Sequence, residues 1–329
     1  QTWPLSELYH WAMTHYEASL VDVQGTSIPL TELGDLIVWD TLAQQFAPNL
    51  HYLLLDRALQ FLQRPEVTAV ADESVLQDLT AAGPLSEFLA WQITGSDHAS
   101  QVLRHFQAML KYSREHLSAP LQIQTDLKRL NYAFNALIHT GKEAQFEATL
   151  FSMTEEDYPV AEKAWIRYTL ADYWVHTKSY LSEEAHAALN RKAHSEAIAI
   201  ITDEPGVPAA QAAQALIDEL ETKECNVQME SVWLPDQPAL LHVNYRNLSN
   251  VDCRIYRLES TDEWQRLDGR ERKAWLESTK AYKVWTSKIT DPKDYLRHST
   301  EIPAPALPFG RYVLVVTSQN DRGEWIYAE

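Results

Sequence analysis

The feature that most constrains this sequence is a change of pattern near Cys225, from helical spacing to strict alternation. Residues 234–258 read LPDQPALLHVNYRNLSNVDCRIYRL, with hydrophobic residues at every second position on both sides of a polar turn at 247–250. Period-two alternation bounded by Pro, Asn and Ser is typical of half-buried strands. Upstream of Cys225 the apolar residues recur at helical spacing. We therefore predict a multidomain chain, α first and β afterwards.

Residues 1–224 are predicted to form an irregular, tetratricopeptide-like (TPR-like) all-α helical array. Stripes of small and large apolar residues recur every three or four positions, and Gly or Pro separates them. A strict 34-residue repeat does not fit the region. The predicted helices span 5–19, 36–48, 51–63, 73–81, 84–94, 98–116, 121–139, 142–157, 160–177, 182–203 and 207–223. The stretch 21–32 is predicted to be a long loop or a short hairpin.

Residues 225–329 are predicted to form an antiparallel seven-stranded β-sandwich, the strand number of immunoglobulin-like domains. A helical insert is predicted at 261–278, between the third and fourth strands. The predicted strands span 226–234, 238–246, 251–258, 281–289, 297–303, 310–319 and 324–328. The predicted domain boundary therefore lies between residues 224 and 225.

The charge balance argues against polyanionic partners. The 329 residues carry a formal net charge of −18, and no run of Lys and Arg forms a basic patch. Phosphate backbones and anionic membrane surfaces would be repelled. No apolar run approaches the ~20 residues that span a bilayer. The first residues, QTWPLSELYHW, lack the basic and apolar regions of a signal peptide. We expect neither nucleic-acid binding nor membrane insertion.

The common catalytic motifs are missing from the sequence. It has nine glycines and none of GxG, GxSxG, HExxH or CxxC, which removes the usual phosphate-binding, nucleophile and metal signatures. Glu7/His10 and Glu183/His186 have the ExxH spacing that builds di-iron sites in helical bundles, but such pairs often arise by chance. We expect a non-enzymatic chain with no catalytic, cofactor-binding or metal-binding residues.

Three other groups of residues have a structural and a functional interpretation. Cys225 and Cys253 are expected to be free, buried thiols rather than a disulfide. The acidic run Glu155–Glu156–Asp157 is expected to be a solvated face, and the alternative is a steering surface for a basic partner. Five tryptophans are expected to fill the sandwich core and cover the domain junction, and the alternative is stacking on sugar rings. These are Trp233, Trp264, Trp275, Trp285 and Trp325.

The C-terminal pattern also resembles a known family. The stretches LPDQPALLHVNYRN, RIYRL, DPKDYLRHSTEI and PALPFGRYVLVV, preceded by a strand at 227–234, resemble the first macroglobulin-type domain of bacterial alpha-2-macroglobulin-like proteins. The upstream HSEAIAIITDEPGVPAAQAAQALIDELE fits the helical region before that domain. The resemblance covers residues from about Ala185 to the end.

The resemblance implies a function in protease trapping and cell-envelope defence. This portion would supply structural and docking surface, and the trap itself would lie elsewhere in the protein. The resemblance also implies a location in the cell envelope, in the periplasm or outside the cell. It implies a protease or an envelope protein as partner of the helical array, and further domains beyond Glu329. Helical arrays offer extended concave surfaces for such partners.

The family's reactive thioester links the Cys and Gln of a CxEQ motif. Cys225 and Gln228 have this spacing, but the Glu is missing and the family's motif belongs to a distant C-terminal domain. We therefore expect no thioester here. Two other functions stay open. A carbohydrate-binding or surface-attachment module of an outer-membrane protein predicts an exposed aromatic platform. A hydrolase predicts a deep pocket with two carboxylates.

Overall fold

The computed structural model describes residues 4–22, 28–34, 48–70, 75–177, 181–259, 261–319 and 325–328. Helices precede strands along this part of the chain, which confirms the predicted order of α before β. The chain divides into two compact units, Gln1–Leu170 and Ala171–Glu329. The second unit therefore contains the last helices of the helical region together with the strands.

The helical region begins with α1 and ends with α10. Its helices are α1 (Leu5–Asp22), α2 (Leu50–Leu62), α3 (Pro65–Val70), α4 (Leu85–Ala90), α5 (His98–His116), α6 (Ala119–Ala136), α7 (Lys142–Glu155), α8 (Val160–His176), α9 (Glu183–Asp203) and α10 (Pro208–Glu221). Two 3₁₀ turns lie at Leu30–Leu33 and Leu79–Ala82. Polar caps set some of the starts, since the side chains of Asn49 and Asp97 accept backbone N–H groups at the beginnings of α2 and α5.

Tertiary contacts explain two differences from the predicted helices. The helix predicted at 73–81 is wrong over 75–78, where Leu76 forms a parallel bridge with Leu137, and only the 3₁₀ turn from Leu79 onward is helical in the described part. The helix predicted at 84–94 already ends at Ala90. The buried Gln107 amide donates to the carbonyl oxygens of Phe88 and Trp91, at 2.7 and 2.9 Å. These bonds replace the helical partners that a longer α4 would need.

Three further predictions fall in the first quarter of the chain. The helix predicted at 36–48 lies almost wholly outside the described residues. The stretch 21–32 was predicted as a loop or hairpin, but α1 continues through Val21 to Asp22 and the first 3₁₀ turn begins at Leu30; Pro29, just before that turn, bridges to Asn49. The short helix α3 was not predicted, because Pro65 interrupts the apolar pattern. Pro is nevertheless well suited to the first turn of a helix.

The core of the first unit lies where α5 packs against α2 and α6. Its largest fully buried apolar side chains include Phe88, Phe106, Leu110 and Leu130. Tyr52 of α2 and Thr125 of α6 share a buried hydrogen bond of 2.8 Å between their hydroxyl groups. Buried polar groups need such partners, so this pair fixes the two helices relative to each other.

The strands form two antiparallel sheets. They are β1 (Glu224–Gln228), β2 (Ala239–Arg246), β3 (Asn250–Leu258), β4 (Lys283–Lys288), β5 (His298–Ala304), β6 (Arg311–Gln319) and β7 (Trp325–Ala328). One sheet has the order β1-β2-β5 and the other β4-β3-β6-β7. Alternate residues of β2, β3, β5 and β6 enter a common core, as their spacing predicts. Its buried members include Leu241, Val243, Val251, Cys253, Ile255, Ile302, Leu314 and Val316.

The predicted helical insert is two helices, α11 (Thr261–Arg266) and α12 (Gly269–Ser278). A capping box formed by Asp268 and Glu271 starts α12 and separates it from α11. Trp264 packs in a second core with Tyr256, Leu258, Val313 and Val315. The strand predicted at 226–234 ends at Gln228, so the apolar residues that follow belong to a loop.

Side-chain hydrogen bonds join α9 and α10 to the strands within the second unit. The Asn247 amide donates to the carbonyl oxygens of Leu220 and Thr222, at 2.7 and 2.9 Å. Arg246, at the end of β2, donates from Nη2 to the Leu220 carbonyl oxygen of α10 at 3.3 Å. The Asn190 amide of α9 donates to the Asp294 carbonyl oxygen, in the segment before β5, at 3.3 Å. The predicted boundary at 224/225 lies within the first residues of β1, whereas the two compact units divide after Leu170.

Candidate protein-binding surfaces

The structure places the two ExxH pairs on separate helices. Glu7 and His10 are exposed on α1, whereas Glu183 and His186 lie on α9 in the other compact unit. Across the described residues, no group of three or more His, Cys, Asp or Glu side chains is arranged to hold a metal ion. Glu155, Glu156 and Asp157 are exposed, as expected for a solvated acidic face.

Both cysteines are free thiols, as predicted, but only Cys253 is buried and Cys225 is half-buried. Burial raises the pKa of the Cys225 thiol to about 11. Burial, with smaller contributions from Cys225 and Asp252, raises the pKa of Cys253 to about 12. Cys225 packs against the common core, whereas Gln228, three positions along β1, is exposed. Residues i and i+3 of a strand point to opposite faces, which separates the two side chains.

Four of the five tryptophans have described side chains, and all four pack against the cores of the second unit, as the core-filling interpretation expects; Trp264 is buried and the other three are half-buried. Trp233 and Trp285 pack against the common core of the two sheets. Trp264 and Trp275 pack in the core beneath the insert, with ring centroids 5.2 Å apart. The side chain of Trp325 lies outside the described residues. These four indoles do not present the flat exposed platform that carbohydrate binding predicts.

An apolar groove of about 560 Å³ lies along α1, next to α2 and α3. Three of its lining side chains are strongly exposed, with Leu5 at 50%, Leu8 at 43% and Trp11 at 54%. Contiguous exposed apolar side chains mark interaction sites in folded proteins. We call this surface the α1 groove.

The floor of the α1 groove is held by aromatic packing and one partly buried hydrogen bond. Tyr9 is buried, and its ring stacks on Phe61 of α2 with centroids 6.1 Å apart. The Tyr9 hydroxyl donates to Gln101 Oε1 of α5 at 2.6 Å. Burial, with the nearby Glu17 carboxylate, raises the pKa of Tyr9, so this donor keeps its proton. The Arg64 guanidinium lies 5.9 Å from the Phe61 centroid at the rim.

Sequence reasoning missed this surface, although α1 carries a signal for it. Apolar residues occur around most of its circumference, at Leu5, Leu8, Trp11, Met13 and Leu20. A helix that buries a single stripe needs apolar residues on that stripe alone. Tyr9 and Met13 occupy the buried stripe, which leaves Leu5, Leu8 and Trp11 facing outward.

A second exposed apolar patch lies at one end of the three-stranded sheet. Met229, Val232 and Leu234 are exposed in the loop after β1, and Leu240 is exposed on β2. Met229, Leu234 and Leu240 line a groove of about 570 Å³. Because the sequence pattern places residues 226–234 in one strand, this patch could not be predicted.

None of the helices within the described ranges is both long and apolar enough to cross a membrane. Comparison of the chain with models of protein families, with curated proteins and with solved structures gives no match.

Proposed function

We propose that this chain is a non-catalytic, protein-docking part of a larger defence protein. Specifically, it would be the N-terminal portion of a bacterial alpha-2-macroglobulin-like protein that traps proteases at the cell envelope or outside the cell. The order of helices before antiparallel sheets supports this proposal. So does the arrangement of three and four strands around one core, which is compatible with a macroglobulin-type sandwich.

The helical region would be an irregular TPR-like array. Support comes from α9 and α10, which pack side by side and are joined by a short connection after Asp203. Small buried residues, Ala193, Ala197, Ala210 and Ala213, allow the two helices to approach closely. Further domains of the same protein would follow Glu329.

The observation that carries the docking proposal is the α1 groove. It offers Leu8 and Trp11 over a floor that Tyr9 and Phe61 hold in place. Apolar anchors on a preorganised surface dominate the energy of protein association. The partner would be a protease or an envelope protein.

A photo-crosslinking amino acid tests this proposal at single-residue resolution. It would be placed at Leu8 in the groove and, as a control, at Ile138, which is 63% exposed and outside the groove lining. Irradiation in cells that express the protein should give a discrete adduct with another protein from position 8 and none from position 138. Equal adducts from both positions, or none from position 8, would contradict the proposal.

Carbohydrate binding is the second candidate function. Two aromatic side chains outside the cores favour it, since Tyr282 and Phe309 are 44% and 87% exposed. The rings of Tyr282 and Tyr312 lie 5.7 Å apart at 50°, which is not one flat platform. Retention on immobilised polysaccharide that Phe309→Ala abolishes would support this candidate.

A further inference from the structure

A second groove, in the other compact unit, differs from the α1 groove in its charge. It has a volume of about 600 Å³ and lies between the helical insert and the end of β3. We call it the insert groove. Its main lining residues are Arg257, Leu258, Trp264, Arg266, Leu267 and Trp275.

The floor of the insert groove is aromatic and fixed. Trp264 is buried, and its ring meets that of Trp275 edge to face at 67°. Trp275 in turn packs on Tyr256 of β3, with ring centroids 5.7 Å apart. The capping box of α12 holds the helix that carries Trp275. An apolar side chain entering the groove would therefore meet a preformed surface.

Two guanidinium groups line this groove, and neither has a carboxylate partner among the side chains that the structure describes. Arg257 and Arg266 are both exposed. Among the described parts of the chain, neither makes an ion pair or a side-chain hydrogen bond, whereas Arg297 pairs with Glu224 through two bonds of 2.8 and 3.1 Å. One carboxylate, Glu259, also lines the groove. The two arginines are thus available for an external anion.

The surrounding segment reverses the charge of the chain. Residues 254–283 carry eight Lys and Arg against six Asp and Glu, although the whole chain has 28 against 46. A locally basic surface attracts an acidic partner to this place, and the acidic remainder of the protein repels the partner elsewhere. Long polyanions such as nucleic acid would meet the net charge of −18 on the rest of the chain.

We propose that the insert groove binds an acidic segment of a partner protein. Carboxylates of that segment pair with Arg257 and Arg266, whose planar guanidinium groups match a carboxylate through two parallel hydrogen bonds. An apolar side chain between the carboxylates packs against Trp264 and Trp275. This site is independent of the α1 groove and extends the proposed function by a second docking surface.

A short fluorescein-labelled peptide with Glu residues on both sides of a Leu tests the proposal. Its binding to the full chain would be followed by fluorescence polarisation at low and at physiological salt. We expect saturable binding that the double variant Arg257→Glu/Arg266→Glu weakens at least about tenfold. The double variant Arg270→Glu/Lys273→Glu makes the same change of charge at exposed positions of α12 outside the groove lining. It should stay within about twofold of the wild type.

Three results would overturn the proposal: no binding at low salt, equal weakening by both double variants, or equal competition by an oligonucleotide of the same charge as the peptide. Circular dichroism and thermal melting establish that both variants are folded, and all four substituted side chains are exposed. A Trp275→Ala variant gives a second readout. The wild-type protein should bind the Leu peptide more tightly than the same peptide with Gly in place of Leu. Because Trp275→Ala removes the surface on which the Leu packs, the variant should bind both peptides with the same affinity.

Discussion

At the scale of single residues, α6 contains an ion pair that is almost completely buried. The side chains of Arg129 and Asp126 are 0% and 3% exposed, and Arg129 Nε lies 2.7 Å from Asp126 Oδ1. Arg129 Nη1 also donates to the Ala81 carbonyl oxygen at 2.7 Å, and the guanidinium lies 4.5 Å from the Phe88 ring centroid. The Arg129 guanidinium thus joins α6 to the second 3₁₀ turn, Leu79–Ala82, and to α4.

Replacing Arg129 should therefore destabilise the first unit strongly. Arg129→Met leaves Asp126 buried without its cation and should cost about 3–5 kcal/mol of unfolding free energy. Adding Asp126→Leu removes the stranded charge and should recover part of that loss. Urea denaturation monitored by circular dichroism measures both effects. A single variant within about 1 kcal/mol of the wild type would show that the pair contributes little.

The thiols give a second prediction at this scale. With pKa values of about 11 and about 12, Cys225 and Cys253 carry almost no thiolate at neutral pH. Native protein should react slowly with a thiol reagent such as dithionitrobenzoate, and denatured protein should react at once at both positions. Methylamine should add no mass, because no thioester is present. A methylamine adduct on the folded chain would contradict this expectation.

At the scale of elements, local sequence predicts a helix or strand wherever its own caps and periodicity decide the ends. The predicted helix 98–116 matches α5, whose start is capped by Asp97. The strand predicted at 238–246 begins one residue before β2. Predictions are wrong at Leu76 and beyond Ala90, where a distant bridge and the Gln107 amide decide the backbone conformation. Such partners are invisible to a local pattern.

The turn between β2 and β3 carries the link to α10. Asn247 has a left-handed φ of 56°, and its amide makes both bonds to the end of α10. Asn247→Ala should lose both bonds and strain the backbone, at a cost of about 2 kcal/mol. Asn247→Gly removes the bonds alone and should cost less. Thermal melting distinguishes the two variants. Equal melting temperatures for Asn247→Ala and the wild type would contradict a stabilising link between this turn and α10.

The start of β1 should make the second unit sensitive to acid. The hydrogen bond from Arg297, followed by the nearby charges of Arg297 and Arg246, lowers the pKa of Glu224. A carboxylate with a lowered folded-state pKa stabilises the fold above its ordinary pKa, near 4, and loses that contribution as pH falls. Glu224→Gln should flatten the fall in stability below pH ~4. The expected effect is small, about 0.5 kcal/mol, because solvent screens this pair.

Chemical denaturation of the wild type and Glu224→Gln at a series of pH values measures that difference. The two proteins should differ most near neutral pH and converge in acid. If the difference in unfolding free energy between the two proteins grew as pH fell, Glu224 would not be a carboxylate whose charged form the arginines stabilise.

At the scale of the whole molecule, the order of α before β follows from sequence periodicity, but the grouping of elements does not. Asn247 and Arg246 both donate to the Leu220 carbonyl oxygen, and these bonds hold α10 in one unit with the sheets. For the exposed surfaces the local pattern goes only part of the way: α1 has more apolar residues than one buried stripe needs, but a pattern does not show which of them remain uncovered. Trp264 and Trp11 illustrate this, since one is buried beneath the insert and the other faces solvent.

The central claim is that the chain works by binding another protein through the α1 groove. The most direct test is the dissociation constant of the partner identified by crosslinking, measured for the wild type, Leu8→Asp and Ile138→Asp. We predict at least about tenfold weaker binding for Leu8→Asp, because a charge at an apolar anchor position must be desolvated. Ile138→Asp should bind within about twofold of the wild type. Equal affinity of all three proteins would contradict the claim.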